Sequence, residues 1–128
     1  MESLLISGVN GYLGKYIFEF FAKLSFKIYF LKRYSSDKKF KLKVINANFP
    51  EKVLSREEIL KIKNPIIINC ASATPSNSIK KEIFNNNVNL SLAIIELIKL
   101  LKDPKLINIS SQDAYGQNLK QLNDKSAI

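Results

Sequence analysis

Leu4-Leu5-Ile6-Ser7-Gly8-Val9-Asn10-Gly11-Tyr12-Leu13-Gly14 is an apolar run that stops at a glycine and then sets two more glycines at three-residue intervals. Three of the chain's four glycines lie here. A short buried strand opening through such a turn into an amphipathic segment is how a first strand passes into a first helix around a dinucleotide's pyrophosphate. Gly8 gives the tight turn, Gly11 lets backbone approach a phosphate without a Cβ in the way, and Gly14 lets helix and strand pack closely. The helix N-terminus then offers unpaired N–H groups and partial positive charge to the anion, with Asn10, Tyr12 and Leu13 beside it.

Outward from this stretch, apolar runs alternate with helical patterns. Lys15–Leu24 carries Ile17, Phe20, Phe21 and Leu24 at helical spacing, and Lys27–Leu31 predicts a second strand followed by a turn over Lys32–Ser36. Lys41–Asn46 alternates as a third strand. Pro50–Lys63 predicts a short helix with Val53, Leu54, Ile59 and Ile62 facing the core. Ile66–Cys70 is continuously apolar, as a strand buried on both faces is. A long helix over Ile79–Lys102 presents Ile83, Val88, Leu92, Ile95 and Leu100, and Lys105–Ile109 forms a fifth strand. The series predicts an α/β fold: a three-layer Rossmann-type parallel sheet in the order 3-2-1-4-5, with helices on both faces. Residues 1–128 read as one NAD(P)-binding domain.

Composition narrows the chemistry. A chain of 128 residues, 46% hydrophobic and 24% charged, suffices for one core burying roughly two thirds of the unfolded surface. One cysteine, Cys70, and no histidine exclude an intrachain disulfide, a cysteine-built zinc site and histidine catalysis. No apolar run reaches the roughly 18 residues of a membrane span, and no signal-peptide pattern opens the chain, so a cytoplasmic location is expected. The net charge of +9 is concentrated only at Lys32, Arg33, Lys38, Lys39, Lys41 and Lys43, facing Asp37 alone. Without interleaved aromatics beyond Tyr34 and Phe40, this patch argues against a nucleic-acid partner.

Lys32 and Arg33 stand about 20 residues after the glycine turn, where this fold meets the adenosine ribose. An acidic residue there binds the 2′-hydroxyl and a basic one favours a 2′-phosphate, so NADP is favoured over NAD. The alternative is that both side chains simply point into solvent.

Further motifs follow in order: Asn46-Ala47-Asn48-Phe49, Ile68-Asn69-Cys70-Ala71-Ser72-Ala73, Asn87-Val88-Asn89, and Ile109-Ser110-Ser111-Gln112-Asp113-Ala114-Tyr115-Gly116. With the glycine turn, they resemble the extended short-chain dehydrogenases/reductases, the NAD-dependent epimerases/dehydratases, across essentially the whole chain. The resemblance implies a dinucleotide cofactor and a nucleotide-sugar substrate, with hydride exchanged at a sugar hydroxyl or carbonyl. It places Asn48 and Phe49 near the adenine, with Asn48 where the family has aspartate. It sets Ala71, Ser72 and Ala73 in the small-residue loop against the nicotinamide half, Asn87 facing the cofactor, and Ser110 beside it. Ser111 matches the Ser/Thr that hydrogen-bonds the reacting sugar oxygen, although capping of the strand end is the alternative for both serines. Gln112-Asp113 stands where dehydratases carry adjacent Asp-Glu, which points towards epimerisation or reduction.

The family's redox step also needs a tyrosine with a lysine four residues later, which lowers its pKa. Tyr34 to Lys38 fits only literally, since it follows the second strand at the adenosine end, and Tyr115 has Leu119 at the fourth position. The chain is therefore expected to be the cofactor-binding part of a nucleotide-sugar epimerase or reductase, stopping before the Tyr-x-x-x-Lys helix and substrate domain and inactive alone. A homodimer remains open to the full-length protein. The alternative is a non-catalytic dinucleotide-binding or interaction module complete at 128 residues.

Overall fold

The structure, a computed structural model, describes residues 1–36, 39–71 and 80–109. The chain runs β1 (Ser3–Ser7), α1 (Tyr12–Ala22), β2 (Lys27–Ser36), β3 (Lys39–Asn46), α2 (Arg56–Leu60), β4 (Pro65–Asn69), α3 (Lys80–Leu100) and β5 (Lys105–Asn108). The five strands form one sheet in the order β3-β2-β1-β4-β5, as the alternation of apolar runs and helical patterns predicts. Central β1 pairs in parallel with β2 and β4, and β4 pairs in parallel with β5.

β3 corrects the all-parallel expectation. It runs antiparallel to β2, with Tyr29 opposite Asn46 and Ser36 opposite Lys39. The expected turn over Lys32–Ser36 is in fact strand, so residues 37 and 38 alone separate the two strands. A parallel return needs a crossover of about a dozen residues or more, whereas two residues suffice for a hairpin. The sheet is therefore mixed.

Pleating divides the core. Leu4, Ile6, Ile28 and Ile68 cluster with Ile17, Phe18 and Phe21 of α1 and with Phe30 and Cys70. Leu5, Tyr29, Leu31, Val44 and Ile67 cluster instead with Leu90, Ile94, Leu97 and Leu101 at α3 and its C-terminal end. Leu4, Leu5, Ile6 and Ile67 are wholly shielded from solvent.

Several expected core positions change. Phe20 and Leu24 are exposed, and Phe18 packs in their place against Phe30 with ring centroids 5.0 Å apart. α1 begins at Tyr12, so its first turn contains Gly14, and Leu24 lies past its end. Among the described side chains of α3, Leu90, Ile94 and Leu97 are buried, followed by Leu101, while Val88, Leu92 and Ile95 face outward. Val53 is also exposed, whereas Ile62 is buried and Leu54 and Ile59 pack against the core. Ile83 has no described side chain. Among the described residues, no helix is long and apolar enough to cross a membrane.

Candidate functional site

β1 delivers the chain into a turn that only glycine fits at two of its three positions. Gly8 has φ +73°, and a Cβ there would lie 2.7 Å from the Ala71 nitrogen. A Cβ on Gly14 would lie 2.0 Å from the Gly8 carbonyl oxygen, whereas one on Gly11 would meet that oxygen at 3.4 Å, an ordinary contact. Packing therefore dictates Gly8 and Gly14, and leaves Gly11 free for another purpose.

The Gly11 amide donates to the Gly8 carbonyl at 3.0 Å, and the first helical bond runs from the Lys15 amide to the Gly11 carbonyl at 3.0 Å. The amides of Tyr12, Leu13 and Gly14 precede that bond and point out of the helix end. Gly11, as N-cap, has no side chain to satisfy them, and the first turn contains no acidic residue to repel an anion. A phosphate meets both requirements of this cradle, hydrogen-bond acceptance and negative charge. Asn10, Tyr12 and Leu13 are exposed around it, and Tyr12 stacks edge-on against Tyr16 with centroids 5.0 Å apart.

Beneath the turn lies a polar chain that sequence reasoning missed. The Ser7 hydroxyl donates to Asn69 Oδ1 and accepts from the amides of Cys70 and Ala71 at 3.1 and 3.3 Å. Asn69 Nδ2 in turn donates to Asn108 Oδ1 at 2.8 Å. Ser7 and Asn69 are buried, and each polar atom they bring into the core is matched, as burial demands. This chain ties the C-terminal ends of β1, β4 and β5 together below the glycine turn. The available signal was a polar residue closing each of two apolar strand runs, Ser7 after Ile6 and Asn69 after Ile68.

Lys32 and Arg33 are exposed within β2, immediately past Leu31, which pairs with Ser7. They therefore lie level with Gly8, one strand away. Ala71 is half-buried and held to Ser7, and Asn87 is half-buried on α3. Asn48 and Phe49 are not brought to this end. Because β3 is antiparallel, its last residue, Asn46, is level with Tyr29 and hence with Leu5. The Ala47 amide then bonds the Ile28 carbonyl at 2.9 Å. Asn48 and Phe49 thus follow towards the opposite edge of the sheet from Gly8, and Phe49 lines a cleft of about 370 Å³ with Lys27, Tyr29 and Lys61. The antiparallel turn of the chain is the physical reason for the separation. Ser72, Ala73, Ser110 and Ser111 lie outside the described residues.

Cys70 packs against the α1-side cluster, and burial pushes its thiol up from the ordinary range. A raised pKa means the folded chain holds the thiol proton more tightly than the unfolded chain. Any stability from this group is present below the unfolded pKa and declines as pH rises through the folded value. At pH 8, alkylation of Cys70 by iodoacetamide is expected to be severalfold slower in the folded chain than in urea, since the thiolate is the nucleophile. Equal rates followed by mass spectrometry would contradict this. Among the described residues, no group of three or more metal-ligating side chains converges.

A parallel strand, a turn with two positions closed to side chains and an uncapped helix N-terminus are the local geometry of a Rossmann-like α/β protein. The chain belongs to the NAD dependent epimerase/dehydratase family, whose model matches residues 4–127. That membership carries an NAD(P)-binding, oxidoreductase-type function. No curated protein matches the chain.

Proposed function

We propose that residues 1–128 are the NAD(P)-binding Rossmann-type domain of an epimerase or reductase acting on nucleotide sugars, with NADP preferred over NAD. The observation that carries the reading is the phosphate cradle of Gly8, Gly11 and Gly14, in which two glycines are fixed by packing and the third leaves the helix end open. The opposite positions of the α1 and α3 clusters along the pleat of β1 support a three-layer domain with helices on both faces. The cationic residues Lys32 and Arg33, level with Gly8, support the NADP preference.

In this proposal the amides of Tyr12, Leu13 and Gly14 bind the pyrophosphate, with Asn10 beside them. Ser7 holds the Cys70–Ala71 backbone against Gly8, and Ala71, with Ser72 and Ala73 following it in sequence, would serve the nicotinamide half. Asn87 faces that half from α3. Bound NAD(P) would supply hydride transfer at a sugar carbon. Ser111 would hydrogen-bond the reacting sugar oxygen, and Ser110 would lie beside the cofactor. Asn48 and Phe49, at the other edge, are left out of the adenine contact.

Titration of NADPH and NADH against the chain by fluorescence tests the preference. Charge-assisted hydrogen bonds contribute about 1.5–3 kcal/mol, so NADPH is expected to bind roughly ten- to a hundredfold tighter. Equal affinities, or tighter NADH, would sink the preference for NADP. Absence of binding to either would sink the cofactor site itself in this chain.

A further inference from the structure

Pleating separates the two cations that sequence alone places together. In β2, Ile28 and Phe30 pack with α1, whereas Tyr29 and Leu31 belong to the α3-side cluster. Continuing the alternation, Lys32 lies on the α1 face and Arg33 on the α3 face. The structure agrees at both positions. The Lys32 ammonium lies 5.9 Å from the centre of the Phe30 ring, which packs against Phe18 of α1. Arg33 is paired across the hairpin with Leu42, a residue packed against the α3-side core.

The cross-strand neighbour of Lys32 is Lys43. Val44 is in the α3-side cluster, so Lys43 shares the α1 face with Lys32. The glycine turn enters α1 on that same face, level with Lys32. The register thus sets two cationic side chains directly opposite one another on one face of the sheet. The nearest anion-binding feature is the α1 N-terminus, whose first turn lacks any acidic side chain. Lys43 stands two strands from β1, about 10 Å at the usual strand spacing.

We infer that Lys32 and Lys43, rather than Lys32 and Arg33, form the clamp that recognises the 2′-phosphate of NADP(H). β3 thereby supplies a specificity-determining residue through its antiparallel course. A parallel β3 would not place Lys43 opposite Lys32. The inference rests on the proposed cofactor site and deepens it.

Three single variants, Lys32→Thr, Lys43→Thr and Arg33→Thr, separate the possibilities when NADPH and NADH dissociation constants are measured for each. Threonine suits a strand and removes the charge. Loss of one charge-assisted contact is expected to weaken NADPH about tenfold for Lys32→Thr and Lys43→Thr, leaving NADH within about twofold. Arg33→Thr is expected to weaken NADPH less than Lys43→Thr does, and an equal or larger loss for Arg33→Thr overturns the clamp. Lys43→Arg, which keeps charge and strand propensity, is expected to retain the NADPH preference and guards against a folding defect. If Lys32→Thr loses the preference while Lys43→Thr keeps it, the clamp is wrong and the cofactor site stands. A fall in both cofactors' affinities for Lys43→Thr also overturns the clamp. If the unaltered chain binds neither cofactor, the underlying site fails and the clamp with it.

Discussion

Gly14→Ala is expected to weaken NADPH binding about a hundredfold or more while leaving much of the helical circular dichroism in place. The new methyl would sit 2.0 Å from the Gly8 carbonyl oxygen, which is backbone and cannot swing aside as a side chain would. Turn and helix must separate, and overpacking of this kind costs about 3 kcal/mol at the upper end of its usual range. The displaced Gly8 carbonyl is the acceptor that fixes the Gly11 amide, so the cradle loses its shape at its centre. Gly11→Ala is the informative partner. Its Cβ meets Gly8 at an ordinary 3.4 Å, so unfolding stability should barely change. NADPH affinity should nevertheless fall if the proposed phosphate approaches that atom's position. Unchanged NADPH affinity in Gly14→Ala would remove the glycine turn from the cofactor site.

Ser7→Ala is expected to destabilise the chain by about 1–3 kcal/mol in urea unfolding, the range for a buried polar group left without its partner. The hydroxyl serves three neighbours at once: the side-chain Oδ1 of Asn69 and the backbone amides of Cys70 and Ala71. Removing it orphans all three beneath the glycine turn. Ser7→Thr keeps the oxygen and should recover most of the loss. A change below about 0.5 kcal/mol in Ser7→Ala would mean that water replaces the hydroxyl, and that the polar chain does not secure the turn.

Much of this architecture was legible because it is local. The run from Leu4 to Gly14 announces strand, turn and helix within eleven residues, and Gly8 and Gly14 occupy positions where side chains collide. Strand order followed from the alternation of apolar runs and helical patterns. The direction of β3 did not, since Lys32–Ser36 alternates too weakly to distinguish a turn from a hairpin strand. α3 carries apolar residues around much of its circumference, so Val88, Leu92 and Ile95 suggested a core face as readily as Leu90, Ile94 and Leu97. Only packing against Leu5 and Ile67 selects between them. The hydrogen bonds among Ser7, Asn69 and Asn108 depend on the register of three strands. Asn48 and Phe49 lie away from Gly8 because their position depends on the direction of β3 and not on their own motif.

The short connection between β2 and β3 also bears on how the molecule assembles. Ser36 and Lys39 pair almost within their own neighbourhood, whereas Ser7 reaches Asn69 across 62 positions of chain. Loop-closure entropy rises with that separation, and hairpins close on a scale of about 1–10 μs. The outer β2–β3 ribbon is thus expected to form early and locally, and the slow event is the docking of β1 between β2 and β4. The glycine turn, which requires that docking, is accordingly a late product of folding.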